Sequence, residues 1–329
     1  MDYLLKANKG HALPYGDDRW TKEACDLFRD LFETDCDVFF VSNGTAANAI
    51  SLAALCQPYH SIICHKIAHI ETDECGATEF YSNGAKILLG EGENGKLLPE
   101  SIRNIFLKRS DIHYPKPQVV SLTQSTEAGT VYTPDELHEI SAVSRELGLR
   151  LHMDGARFAN AAAGLGRTPA ELSWKCGIDV LCFGGTKNGL MGGEAIIFFD
   201  RDLAFEFAFR CKQSGQLASK MRFIAAQWTG LLQSDVWLKN AEHANKMTRL
   251  LYRRLKEIRE ISFLFPVEAN AVFISLPEHA VKSMHEKGWH FYSFIGDGGC
   301  RLMCGWDSTE DIIDEFASDL EKTLKGNAK

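Results

Sequence analysis

The sequence predicts an α/β protein, with a large domain on a mostly parallel sheet and a small α+β domain at the C-terminal end. Three observations carry that expectation. Short apolar runs alternate with helical segments over the first two-thirds of the chain. The alternation stops after about Phe199. The 329 residues suffice for one large core and a smaller second one.

The alternation starts at Val38–Val41, a short apolar run broken by Ser42-Asn43-Gly44 and followed by an Ala- and Leu-rich helical segment, Thr45–Leu55. Ser61–Cys64 and Ala85–Leu89 read as further strands. Pro99–Lys108 reads as a helix, with Pro99 suited to its first turn. Val119–Thr123 is strand-like. Thr133-Pro134-Asp135-Glu136 opens the next helix with an N-cap, a first-turn proline and acids at the positive end of the dipole, and Gly148 closes it. Leu149–Met153, Ile178–Phe183 and Ala195–Phe199 complete the strand set. From Leu203 to about Lys256 the chain is helical in character and free of proline. Short strands are expected beyond it at Ser262–Phe265, Val272–Leu276, His290–Phe294 and Cys300–Cys304, with a helix at Glu310–Leu324. The division is placed at residues 1–240 for the large domain and 241–329 for the small one.

Composition narrows the function classes. A formal net charge of −8, from 36 basic and 44 acidic side chains, argues against nucleic-acid or anionic-membrane binding, which needs a basic face. No apolar run reaches the ~18 residues of a membrane span. The start, Met1-Asp2-Tyr3-Leu4-Leu5-Lys6, lacks the apolar core and cleavage site of a signal peptide. Ten scattered cysteines with no Cys-x-x-Cys pair suit free thiols in a reducing cytoplasm, and no zinc site is expected.

Ligands of open α/β sheets bind beyond the carboxyl ends of the strands, and four motifs fall there. Ser42-Asn43-Gly44-Thr45 is either a plain N-cap turn or an anion cup at a helix N-terminus, with Asn43, Gly44 and Thr45 as its members. His65 and His69 are each a satisfied histidine, or His69 lies on the face of a cofactor. Asp154, in Met153-Asp154-Gly155-Ala156-Arg157, is a helix cap or a carboxylate that keeps a heterocyclic nitrogen protonated. Lys187, between Gly184-Gly185-Thr186 and Asn188-Gly189, is a solvated surface lysine, a phosphate ligand, or a desolvated amine that attacks a carbonyl. Each motif alone is weak; in this order they are specific.

In these stretches, together with Ala68–Ala77, Ser219–Phe223 and Ala269–Phe273, the sequence resembles the low-specificity L-threonine aldolases within the β-eliminating-lyase group. The resemblance implies a fold-type I, aspartate-aminotransferase-like large domain and a pyridoxal 5′-phosphate (PLP) cofactor. It matches Lys187 to the Schiff-base lysine, Asp154 to the partner of the ring nitrogen, Gly44 and Thr45 to the phosphate cup, and His69 to the imidazole that stacks on the ring. Arg157 and Arg301 match arginines near the substrate carboxylate, and Lys220 and Arg222 a basic pair that reaches a neighbouring subunit. Lys187, His69 and Asp154 are the expected catalytic set. The ring oxygen's partner is expected among Gln124, Ser125 and Thr126, since Thr123-Gln124 stands where many relatives have Glu-Asn. Relatives usually begin with a further segment bearing a Ser-Asp motif that lines the substrate pocket, and Met1 is expected to fall inside the helix after it, so that either the start lies upstream or part of the pocket is missing. The implied activity is aldol cleavage of threonine or allo-threonine to glycine and an aldehyde, in a cytoplasmic homodimer or homotetramer. A PLP-dependent β-eliminating lyase, an aminotransferase and a non-catalytic PLP-fold binding protein are the alternatives.

Overall fold

The computed structural model describes residues 1–295 and 298–326. Its large sheet holds seven strands: β1 (Asp37–Val41), β2 (His60–His65), β3 (Lys86–Gly90), β4 (Lys116–Thr123), β5 (Arg150–Gly155), β6 (Val180–Gly184) and β7 (Glu194–Phe198), in the order β1-β7-β6-β5-β4-β2-β3. The pairings from β6 across to β3 are parallel. Only β7 runs against its neighbours, β6 and β1. The other six strands therefore share one direction, and their carboxyl ends line one edge of the sheet.

Every residue of β2, β6 and β7 is buried, as expected of strands covered on both faces. Successive side chains still part to opposite sides: Leu181 and Phe183 enter one apolar cluster, Val180 and Cys182 the other. The first cluster is sealed by the helices Arg19–Phe32, Phe158–Leu165 and Arg222–Leu232. Its centre is aromatic, with the Phe28 ring 5.0 Å from that of Trp228 and 5.9 Å from that of Phe183. On the other face lies the helix Gly44–Leu55, buried on nearly every side beyond its first turn.

A second, antiparallel sheet contains β8 (Ser262–Phe263), β9 (Ala271–Ser275), β10 (Tyr292–Ile295) and β11 (Gly299–Met303), in the order β10-β11-β9-β8. It packs on a separate core that includes Leu251, Ile274, Leu302 and Phe316. The helix Val236–Lys256 contacts both the helix Phe158–Leu165 and the helix Glu310–Gly326. Residues 240 and 241 lie inside it.

The stretch from Leu203 to Lys256, expected to be helical in character, is divided among several helices. A 3-10 turn, Arg201–Ala204, precedes helices at Phe207–Gln213, Arg222–Leu232 and Val236–Lys256. The breaks fall where the backbone turns left-handed, at Gly215 and Asp235. Two helices, Asp2–Ala7 and Arg19–Phe32, precede the sheet. All ten cysteines are free thiols. Among the described residues, no helix is long and apolar enough to cross a membrane.

Candidate active site

Three glycines shape the turn that carries Lys187. An added Cβ on Gly184 would meet the Ala156 carbonyl oxygen at 2.4 Å, and one on Gly185 would meet Leu190 Cδ1 at 2.4 Å. Gly189 has φ +108°, a conformation that side chains resist. The turn is pinned from three directions. Gly185 N–H donates to Glu194 Oε2 at 2.6 Å, Gly193 N–H to Thr186 Oγ1 at 3.2 Å, and Asn188 Nδ2 to the Trp237 carbonyl at 2.7 Å. Lys187 keeps contact with solvent through the mouth of a cleft of about 650 Å³. Protein packed around the rest of its amine, and the nearby Arg157 charge, lower its pKa; Asp154, Glu127 and Glu194 oppose that fall without cancelling it.

Asp154 closes β5 and is buried. Its Oδ1 accepts the Ala156 N–H and its Oδ2 accepts from Asn48 Nδ2, both at 2.9 Å. These donors are neutral, so a protonated heterocyclic nitrogen would supply the positive partner this carboxylate suits. Asn43 caps the helix Gly44–Leu55 by accepting the Ala46 N–H at 2.9 Å. No atom lies within 4 Å of a Cβ built on Gly44, so there is room for an anion against the first amides of that twelve-residue helix. An amine, a buried carboxylate and an open anion site, all on one sheet edge, fit PLP.

His69 begins a short helix after β2. Its Nδ1 lies 2.8 Å from Glu74 Oε1, and its Nε2 lies 3.6 Å from Asp73 Oδ2. The hydrogen bond to Glu74 raises the His69 pKa against the opposing effect of burial. Asn48 Nδ2 donates to Glu74 Oε1 as well as to Asp154. Among the described residues, His69, Glu74 and Asp154 bring possible ligand atoms within 4.8 Å of one another. The Asn48 amide between the two carboxylates makes this cluster a hydrogen-bond network. Across the cleft, Arg301 Nη1 lies 3.7 Å from Glu127 Oε2. Burial, and then the Arg157 charge, lower the Arg301 pKa, as two guanidiniums facing one cleft should.

The cleft brings His69, Arg157, Lys187 and Arg301 together, with Glu127 and Tyr292 beside them. Other expectations fall elsewhere. The Gln124 amide is turned away, donating to the Tyr132 carbonyl and accepting the Tyr132 N–H, both at 2.9 Å. In these two bonds it braces the loop that carries Glu127. Ser125 and Thr126 are buried beside it. Lys220 and Arg222 do not line the cleft; Arg222 Nη1 reaches the Gly10 carbonyl at 3.4 Å. His65 is separate from His69 and braces its own loop through Ile67 N–H and the Gly92 carbonyl. Asn48, Glu74 and Glu127 belong to the site without a sequence motif of their own. Asn48 alone leaves a trace in the sequence, as a carboxamide in an otherwise apolar stretch of helix.

The family model described as beta-eliminating lyase matches residues 1–279. A low specificity L-threonine aldolase from Pseudomonas aeruginosa is 63% identical over 98% of this chain and 93% of its own length. One from a Pseudomonas species is 60% identical over the same shares. The solved threonine aldolase of Leishmania major superposes with a TM-score of 0.92 at 30% identity, covering 98% of this chain and 95% of that one. The chain belongs to the beta-eliminating lyase family and, within it, to the low-specificity threonine aldolases, fold-type I enzymes that use PLP.

Proposed function

We propose that this protein cleaves L-threonine, L-allo-threonine and related β-hydroxy-α-amino acids to glycine and an aldehyde. The observation that carries the reading is one cleft holding a lysine of lowered pKa, a histidine, and two arginines, one from just after β5 and one from β11. Lys187 is the attachment point for the PLP aldehyde, as a Schiff base. With the cofactor bound, Asp154 would pair with the ring nitrogen, His69 would lie against the ring, and Asn43, Gly44 and Thr45 would hold the phosphate. When bound, the cofactor supplies an electron sink for the pair left at Cα.

The chain's own residues do the rest. Arg157 and Arg301 hold the substrate carboxylate, which fixes the rotation about the amino-acid nitrogen and selects the bond that breaks. His69 Nε2 takes the proton of the β-hydroxyl, directly or through a water, as Cα–Cβ opens. The lowered pKa of Lys187 favours the neutral amine that binds a carbonyl carbon. The reading extends to a cytoplasmic homo-oligomer, a dimer or a tetramer. The free buried thiols and the largely exposed Phe80, Met191, Phe205 and Phe209 support it.

Product analysis with L-threonine and with L-serine tests the activity. Acetaldehyde and glycine from threonine are expected. Ammonia and a keto acid without aldehyde would point to elimination instead. Lys187→Ala should lose at least about a hundredfold in kcat, and full activity in that variant would remove the assignment of Lys187.

A further inference from the structure

We infer that Glu74 is a positioning residue that holds His69 in its Nδ1–H form and so presents an unprotonated Nε2 to the cleft. The inference rests on the reading that His69 takes the substrate's hydroxyl proton. The geometry comes from two segments. Glu74 and His69 lie five residues apart beyond β2, and Asn48 reaches in from the second turn of the helix Gly44–Leu55.

The donors settle which way the proton lies. Asn48 Nδ2 is 2.9 Å from Glu74 Oε1 and 2.9 Å from Asp154 Oδ2. Both neighbours are carboxylate oxygens, so the nitrogen, not the oxygen, of the Asn48 amide must face them. One amide hydrogen goes to each. Glu74 Oε1 thus accepts from Asn48 and stands 2.8 Å from His69 Nδ1. A proton on Oε1 would compete with the Asn48 donor. Among the described residues, Oε2 is buried with no hydrogen-bond partner, so a proton there would have no acceptor. The arrangement that satisfies the most groups is an ionised Glu74, with N–H on His69 Nδ1.

The charges around the imidazole differ in sign: Asp73, Glu127 and Asp154 face His69 and favour its protonated form, while the cations Lys187, Arg157 and Arg301 stand on the same cleft. Glu74 is buried, which makes its carboxylate a stronger acceptor than one in water and raises its own pKa. A buried carboxylate behind the imidazole stabilises the imidazolium that forms at Nε2 without itself touching substrate.

The first test reads the tautomer directly. Long-range nitrogen NMR of histidine-labelled protein, with His69 assigned from the signal lost in His69→Gln, should show the Nδ1–H tautomer in the full chain. An Nε2–H tautomer would overturn the inference. Glu74→Gln keeps the shape and removes the charge. It should lower the His69 pKa by about one unit. It should also lower kcat about tenfold or more, with a smaller change in KM, and move the acid limb of the pH profile to lower pH. Glu74→Asp, which keeps the charge, should restore part of the pKa shift. An unchanged His69 pKa in Glu74→Gln would sink the proposal even if activity fell. Full activity in His69→Gln would instead remove the reading of His69 as the base, leaving the tautomer result standing.

Discussion

Arg157 and Arg301 reach the same cleft from different parts of the chain, one just after β5 and the other on β11 of the second sheet. Burial and the Arg157 charge lower the pKa of Arg301, so an anion between the two guanidiniums relieves a repulsion that the free protein carries. A guanidinium holds a carboxylate with two parallel donors, which an ammonium cannot copy. Arg301→Lys should therefore raise the KM for threonine by about 10- to 100-fold, the range set by ~1.5–3 kcal/mol for a charged hydrogen bond, with a lesser effect on kcat. Steady-state kinetics on the purified variant checks this; an unchanged KM would place the carboxylate elsewhere. Both arginines could be picked out in the sequence because they sit in recognisable stretches. Glu74 could not, because nothing local distinguishes an acid five residues after His69 from its neighbours Glu71 and Asp73. Only the fold lays Asn48 between Glu74 and Asp154 and buries all three.

The elements were legible wherever apolar runs were bounded by turn residues. Six strands of the large sheet fall within two residues of their expected bounds and β4 begins three residues early, at Lys116, since Ser42-Asn43-Gly44, Gly148 and Gly184-Gly185 mark boundaries in the sequence. The stretch from Leu203 to Lys256 is helical as its composition suggests, but composition without proline says nothing about where a helix folds back. Tertiary packing decides that, and here Gly215 and Asp235 take left-handed backbone to do it. Tertiary contact also decides what Gln124 does: its carboxamide is bonded both ways to the Tyr132 backbone, which its place in the sequence does not show. The turn around Lys187 shows how closely an element can constrain a site. A methyl on Gly185 would lie 2.6 Å from Trp228 Cζ2 and 2.7 Å from the Gly193 carbonyl oxygen, and the carbonyl cannot rotate away as a side chain could. Gly185→Ala should lower stability by about 1–3 kcal/mol and reduce kcat by displacing Lys187 two residues on. Thermal melting and turnover measured together test it; wild-type values for both would mean that the turn yields more readily than its packing implies.

On the scale of the whole molecule, the common direction of six strands gathers Asn43, His69, Glu127, Asp154 and Lys187 on one edge of the sheet, and the second sheet brings Arg301 to meet them. Holding that edge in place depends on a sheet interior that is not wholly apolar. His152, on β5 two residues before Asp154, is fully buried between Ser121 Oγ, 2.9 Å from Nδ1, and Cys182 Sγ, 3.3 Å from Nε2. Burial keeps this imidazole neutral and pushes its pKa down to about 4 from the usual 6.5, with Asp154 a lesser, opposing influence. The sign of the consequence follows from which state takes up the proton. Above pH 6.5 neither the folded nor the unfolded chain binds a proton at His152, and the full stability is present. Between 6.5 and about 4 the unfolded chain is protonated there while the folded one is not, so stability falls as pH falls. The slope is about 1.4 kcal/mol per pH unit, reaching about 3 kcal/mol near pH 4. His60 and His65, both with lowered pKa values from burial, add to the slope, whereas His69, raised by Glu74, opposes it. Urea unfolding at several pH values between 7.5 and 4.5 should show this decline in the unmodified protein. His152→Gln, which keeps a donor and an acceptor but cannot titrate, should flatten it by up to one proton equivalent, whatever its effect on stability at pH 7.5. An identical pH slope in the variant would mean that some other group, not the imidazole beneath Asp154, links the sheet's stability to pH.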